Sequence, residues 1–252
     1  MRDRCMLSFT KEQLTSVGEY CTLHSSPLPK SVEEQCRVTD ERSQDEVVMA
    51  PSPAQCAWLM SFALASRPRR ILELGTFTGV STLAFYEGTR KTKAEIITVD
   101  MSEEYLQIAE TAFRRHGATD RIQTIRGPCL EILPTITGEF DLIYIDAAEE
   151  EYEAYTRFVL DHKLLSAEGV MLVDDGTYIR WFYFFQANWW SVLLEGLVVD
   201  RSIVKEFPEE IQEPYLGIAD QMNDFNRYAR SDPRVEVTMI PLFNGVTQIT
   251  WK

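Results

Sequence analysis

The sequence predicts an α/β fold: a mostly parallel seven-stranded sheet with helices on both faces and a C-terminal antiparallel hairpin. Three observations carry this expectation. Short, nearly continuous apolar runs alternate with amphipathic stretches between residues 70 and 174, as in a parallel sheet covered on both faces. The first of these runs, Ile71-Leu72 and Leu74, ends in a glycine turn at Gly75, with Gly79 four residues on. The C-terminal end reads differently: 235–241 and 246–251 are strand-like runs joined by the short loop 242–245, the pattern of a hairpin.

Taken in order, residues 8–35 read as helical with breaks. Ser8 or Thr10 is placed to cap a helix over 11–21, and Pro27 and Pro29 interrupt the chain. Residues 36–48 are charged and read as loop or helix surface. A helix follows over 51–65, with Cys56, Leu59, Met60, Ala63 and Leu64 at helical spacing. Strands are expected at 70–75, 95–100, 121–126, 140–146 and 169–174, and helices near 80–90, 103–116, 128–134 and 151–165. The 252 residues fit one domain, with a helical appendage over 1–50 and an aromatic-rich insertion and helix over 178–230.

The net charge of −14 argues against a nucleic-acid partner, because a phosphate-backbone binder needs a basic surface. The densest basic cluster, Arg67-Pro68-Arg69-Arg70, leads into the first strand and reads as a solvated edge. Five cysteines without a C-x-x-C pair point to free thiols in a reducing compartment. The N-terminus has no apolar core of signal-peptide length and no stretch is long enough to span a membrane, so the expected location is cytoplasmic. The segment 181–197, WFYFFQANWWSVLLEGL, has two readings: a core or dimer-contact helix, or the wall of a pocket for a flat organic substrate.

The glycine turn, GTFTG, lacks the middle glycine of a dinucleotide loop, which seats a pyrophosphate. A carboxylate, Glu73, precedes the turn, and Asp100 ends the next apolar run, where an acid is placed to bind ribose hydroxyls. Together they suit a cofactor with a cationic amino-acid end and a ribose but no phosphate, which describes S-adenosylmethionine. Further acids end the fourth and fifth apolar runs: Asp146, and the pair Asp174-Asp175. At the carboxyl ends of parallel strands these three converge and repel unless neutralised, and a hard divalent cation is the simplest neutraliser. The bland alternative is that an Asp caps the following helix, the reading adopted for Asp141. His116 and His162 read as structural or solvated; His24, before a proline turn, is a weaker neighbour of the site.

Several motifs in order carry a family likeness: ILELGTFTGVSTLA at 71–84, VDMSEEYLQIA at 99–109, FDLIYIDA at 140–147, EGVMLVDDGTYIRW at 168–181 and DPRVEVTMIPLFNGVTQI at 232–249. The chain resembles the cation-dependent O-methyltransferases of the caffeoyl-CoA and catechol type, which have a Rossmann-like class I methyltransferase fold. The resemblance implies an S-adenosylmethionine site with Glu73, Gly75 and Ser81 around the methionine end, Asp100 on the ribose and Cys129 beside the adenine. It places Met49 and Asp146 near cofactor and substrate, and Tyr178 and Trp181 at the substrate pocket. It also implies a divalent cation, Mg²⁺ first and Mn²⁺ or Ca²⁺ next, on Asp146, Asp174 and Asp175. Two departures stand out. Asp175 occupies a position where the family has Asn, and Glu149 occupies the position of a Lys that serves as general base. The expected activity is metal-assisted O-methylation of a small aromatic hydroxyl, preferably a vicinal diol, with Asp146 and Glu149 at the catalytic centre. The expected assembly is a homodimer. The alternatives are a metal-independent enzyme with a different nucleophile or non-methylating chemistry, and a cofactor-binding partner subunit without turnover.

Overall fold

The computed structural model describes residues 20–42, 49–174, 209–243 and 245–252. The sheet is built outward from β1 (Arg70–Leu74), with β2 (Glu95–Asp100) and then β3 (Ile122–Arg126) on one side. On the other side come β4 (Phe140–Ile145), β5 (Leu165–Val173), β7 (Val246–Trp251) and β6 (Val235–Ile240). The first five strands pair in parallel, and the hairpin β6–β7 joins β5 antiparallel. The chain leaves β1 in one direction and returns through β4 in the other. Ligands of open α/β sheets bind outside the carboxyl ends of the strands at this reversal.

Successive residues of a strand face opposite sides, so each face of β1 carries its own core. On one face Leu72 and Leu74 join Ile143, Ile145 and Met171 against α6 (Tyr152–Asp161) and α7 (Glu209–Ser231). On the other, Ile71 joins Leu142, Tyr144 and Leu172 against α2 (Pro53–Ser66), α3 (Val80–Gly88) and α4 (Glu103–Arg115). The short α5 (Cys129–Ile132) runs into a 3₁₀ turn at Leu133–Thr135. Local chemistry sets the boundaries. Ser52 caps α2, its hydroxyl accepting from Gln55 N at 3.2 Å with Pro53 in the first turn. Ser102 caps α4, which carries Glu103 and Glu104 in its first turn and Arg114 and Arg115 in its last, matching the helix dipole.

The expected architecture holds, with four local corrections. Residues 30–40 form one continuous helix, α1 (Lys30–Asp40), where a helical stretch with breaks to 35 and a loop or helix surface from 36 were expected. Pro29 starts this helix instead of interrupting one: its carbonyl accepts from Val32 N and Glu33 N, and its missing N–H costs nothing at a helix start. Helix α6 ends at Asp161 rather than 165, because Lys163 adopts φ +54° and Leu164 N closes onto Val159 O at 2.9 Å. β5 consequently begins at Leu165, pairing with Phe140 before a register shift, four residues ahead of the expected start. Asp141 does not cap a helix. Its carboxylate accepts from Arg69 N at 2.7 Å, Arg70 N at 3.2 Å and the Ser166 hydroxyl at 3.2 Å, tying the starts of β1 and β5. The expected helix over 11–21 and the aromatic run 181–197, which carried the dimer expectation, lie outside the described residues apart from 20–21, which are helical. No helix among the described residues is long and apolar enough to cross a membrane.

Candidate functional site

The site is organised by one close approach. Gly75, at φ +98°, leaves β1 directly under the end of β4, where a Cβ would lie 1.8 Å from the Asp146 carbonyl oxygen. Gly75 N donates to Val99 O and Asp146 N to Leu74 O, both at 2.9 Å. The loop then carries Phe77 at φ +46°, an uncommon conformation for a residue with a side chain, before α3 begins.

Asp100 holds that loop. Its Oδ2 accepts from Thr76 N at 3.1 Å and Phe77 N at 2.7 Å, and its Oδ1 accepts from Ser102 N at 2.8 Å. A carboxylate has about four acceptor positions, so capacity for a ligand hydroxyl remains. Met101 follows with 71% of its surface exposed at the end of β2.

Glu73 is fully buried beneath the loop. Thr82 and Thr98 donate to its Oε2 at 2.5 and 2.6 Å. Since Thr98 donates there, the 2.6 Å contact between the Thr76 and Thr98 hydroxyls has Thr76 as donor, a relay ending on Glu73. Oε1 is buried with no hydrogen-bond partner among the described residues. Burial raises the carboxyl from 4.5 to about 7, only partly offset by the Thr82, Thr98 and Ser81 hydroxyls around it. The neutral form is therefore favoured on folding, so this contribution to stability is complete below pH 4.5 and is lost as pH rises through about 7. Urea unfolding between pH 5 and 8 should show wild type losing on the order of 3 kcal/mol more than Glu73→Gln. Parallel profiles for the two proteins would mean that Glu73 titrates normally.

Asp146 and Asp174 follow the paired ends Ile145 and Val173 of β4 and β5, and Asp174 N donates to Ile145 O at 2.9 Å. Asp174 is buried, and its Oδ2 accepts from the Tyr144 hydroxyl and, at 2.5 Å, from Gln55 Nε2. Glu149, three residues beyond Asp146, is buried on the 3₁₀ turn Glu149–Glu151. Cys129 begins α5, buried; burial, with the charges of Asp100 and Glu151, pushes its thiol up to about 12, which makes it an inert wall. Ser81 lies buried in the first turn of α3, and Met49 is half-buried ahead of α2. Asp175, Tyr178 and Trp181 lie outside the described residues, so only two of the three expected metal carboxylates are placed. Among the described residues no group of three His, Cys, Asp or Glu is close enough to hold a metal.

The histidines take no part in this crevice. His116 ends α4 3.3 Å from Glu34, His162 ends α6 stacked on Phe158, and His24 is exposed. A groove of about 490 Å³ lies elsewhere, between α1 and α4, lined by Gln35, Val38, Arg42, Glu104 and Ile108 among others. Sequence reasoning missed Tyr144, Gln55, Thr98 and Met101. Only Met101 left a signal, an apolar residue directly after the strand-end acid.

A model of the O-methyltransferase family matches residues 22–251. The chain is 32% identical over 249 residues to the O-methyltransferase ankF of Aspergillus thermomutatus, covering 98% of this chain and 97% of that protein. A catechol O-methyltransferase of Mycobacterium tuberculosis is 33% identical over 128 residues, half of this chain and 57% of that protein. The S-adenosylhomocysteine-bound crystal structure of the Podospora anserina methyltransferase PaMTH1 superposes with a TM-score of 0.83 at 33% identity, covering 98% of both chains.

Proposed function

The chain belongs to the O-methyltransferase family, and on that premise we propose that it moves the methyl group of S-adenosylmethionine onto a hydroxyl of a small aromatic molecule, a vicinal diol by preference. The observation that carries this is the contact of Gly75 with the Asp146 carbonyl, which brings the glycine loop, Asp100 and the strand-end carboxylates to one crevice. The relatives that bind S-adenosylhomocysteine or methylate catechols by name support the cofactor and the substrate class.

In this reading Asp100 receives the ribose hydroxyls while holding the loop that receives the rest of the cofactor. Glu73, with Oε1 unpaired beneath the turn, lies under the cationic amino-acid end, whose charge would favour the ionised carboxylate over the neutral form that burial favours. Cys129 and Met101 offer apolar surface to the adenine. The reaction is an in-line displacement: the substrate oxygen bonds the methyl carbon, the carbon–sulfur bond breaks with its electron pair going to sulfur, and the phenolic proton leaves to a base. Glu149 is the nearest buried carboxylate in sequence to Asp146 and is our candidate to take that proton.

The family also implies a divalent cation. The donors present fit a hard one, since Asp146 and Asp174 offer only carboxylate oxygens at neighbouring strand ends. Asp174 is oriented from behind by Tyr144 and Gln55, as ligating carboxylates are. Asp146, Asp174 and Asp175 would hold the ion, which when bound would lower a phenol's pKa from about 10. With a catechol substrate, EDTA and Asp146→Ala are each expected to cut S-adenosylhomocysteine formation by about a hundredfold or more. Mg²⁺ should restore the EDTA-treated enzyme only. Turnover indifferent to both treatments would replace metal assistance with metal-independent transfer, for which the carboxylate at 149 in place of a cationic base is the supporting feature.

A further inference from the structure

Helix α1 touches the glycine loop through two buried polar side chains. Gln35 Nε2 donates to the Thr78 carbonyl at 2.5 Å, and the Thr39 and Thr78 hydroxyls lie 2.8 Å apart. Gln35, Thr39 and Thr78 are all buried, Thr39 and Thr78 completely. Proton bookkeeping fixes the direction of the second bond. Thr39 gives its proton to the Gln35 carbonyl at 3.0 Å, so Thr78 is the donor and Thr39 the acceptor. A third contact runs through rings: the Arg42 guanidinium lies 5.5 Å from the centroid of Tyr105, whose ring meets Phe77 edge-on at 4.5 Å.

These contacts fall on two adjacent loop residues, Phe77 and Thr78, of which Phe77 holds the positive φ of +46°. Asp100 grips the same loop through Thr76 N and Phe77 N. A loop in a disfavoured conformation persists only when its surroundings over-determine it. Here the clamp has two jaws, one from β2 and one from α1, a helix far from the sheet's carboxyl edge in sequence.

We infer that Gln35 and Thr39 of α1 are positioning residues that hold Thr78, and through it the backbone of the loop that receives the cofactor. Helix α1 is thereby part of the cofactor-binding machinery by way of the loop. The inference rests on the cofactor reading above.

The test compares S-adenosylhomocysteine affinity by calorimetry with thermal unfolding of the unliganded protein. Thr39→Val keeps the side-chain volume and leaves the Thr78 hydroxyl without an acceptor; Gln35→Met removes the donor to its carbonyl. Each is expected to weaken binding about fivefold to thirtyfold, raising KM for S-adenosylmethionine with little change in kcat. Thr39→Ser, which retains the oxygen, should bind as wild type does. Ser31→Ala is the control. It removes the 2.5 Å bond from α1 to Glu87 of α3, loosening the same helix away from the loop, and should lower the melting temperature while leaving affinity unchanged. Wild-type affinity in folded Thr39→Val, or equal loss of affinity in Ser31→Ala, overturns the inference and leaves α1 a merely structural helix. Failure of the wild type itself to bind would instead bring down the cofactor reading. Thr39→Val alone decides the matter if Gln35→Met does not fold.

Discussion

Gly75→Ala is expected to lose on the order of 3–5 kcal/mol of stability, with cofactor binding undetectable in whatever folds. The added methyl would meet the Asp146 carbonyl oxygen at 1.8 Å and its carbon at 2.7 Å, and both are backbone atoms. Relief therefore requires β1 and β4 to separate. Each is locked by fully buried neighbours, Leu72 and Leu74 on one strand and Ile143 and Ile145 on the other. The backbone cost adds to this, since alanine has little access to φ +98°. Gly117→Ala provides the comparison: its φ of +65° imposes strain, but a methyl there meets nothing within 4 Å. It should cost about 1 kcal/mol. Urea titration of both variants separates steric from conformational cost. A Gly75→Ala protein no less stable than Gly117→Ala would mean that the two strand ends do not touch.

The same close approach explains why the centre of the fold was readable from sequence. A turn that must pass under another backbone needs glycine, and glycine is visible. An acid ending the second apolar run is equally visible, and Asp100 does end β2, where it holds the glycine loop. The sheet followed from apolar runs too continuous for a surface strand. Misreadings fell where the required residue type leaves no mark. Lys163 takes the left-handed position that usually advertises itself as glycine, so the end of α6 was placed too late and β5 too short. The stretch Ser166-Ala167-Glu168-Gly169, which has no large apolar residue, also hides the first half of β5. Pro29 reads as a breaker because proline serves both to end and to begin helices, so the start of α1 and its continuity past residue 35 carry no mark in the sequence.

The polar contacts behind the site were invisible for a different reason. Gln55 reaches Asp174 across 119 residues, and Tyr144 reaches it across 30. Neither obeys a period that a sequence reveals. Tyr144 sits in a run, Phe140–Ile145, that reads as plain buried strand, with its hydroxyl unnoticed. Asp141 and Asp146 are six-residue brackets on the same strand, one at its start and one past its end. Sequence alone assigns them different roles, a helix cap and a site carboxylate, and the structure corrects the first: Asp141 binds the backbone of Arg69 and Arg70 instead of capping a helix.

Asp100→Ala is expected to weaken S-adenosylhomocysteine binding about a hundredfold or more and to destabilise the unliganded protein by about 2 kcal/mol. The two effects share one cause. Three backbone N–H groups, of Thr76, Phe77 and Ser102, lose their acceptor, and the positive φ at Phe77 loses what offsets it. The ribose contact proposed for the same carboxylate is lost as well. Asp100→Asn separates these contributions. Its amide oxygen can still accept from the two loop N–H groups at the Oδ2 position, whereas its NH₂ replaces the acceptor at Oδ1 with a donor facing Ser102 N–H. Asparagine should therefore recover much of the stability but less of the affinity, since hydrogen bonds to a charged acceptor are the stronger ones. Calorimetry and urea titration on the three proteins give the answer. If Asp100→Ala binds within threefold of wild type, the carboxylate only braces the loop and the ribose lies elsewhere. If asparagine matches alanine in both measurements, the negative charge, rather than the loop's hydrogen bonds, is what the site requires.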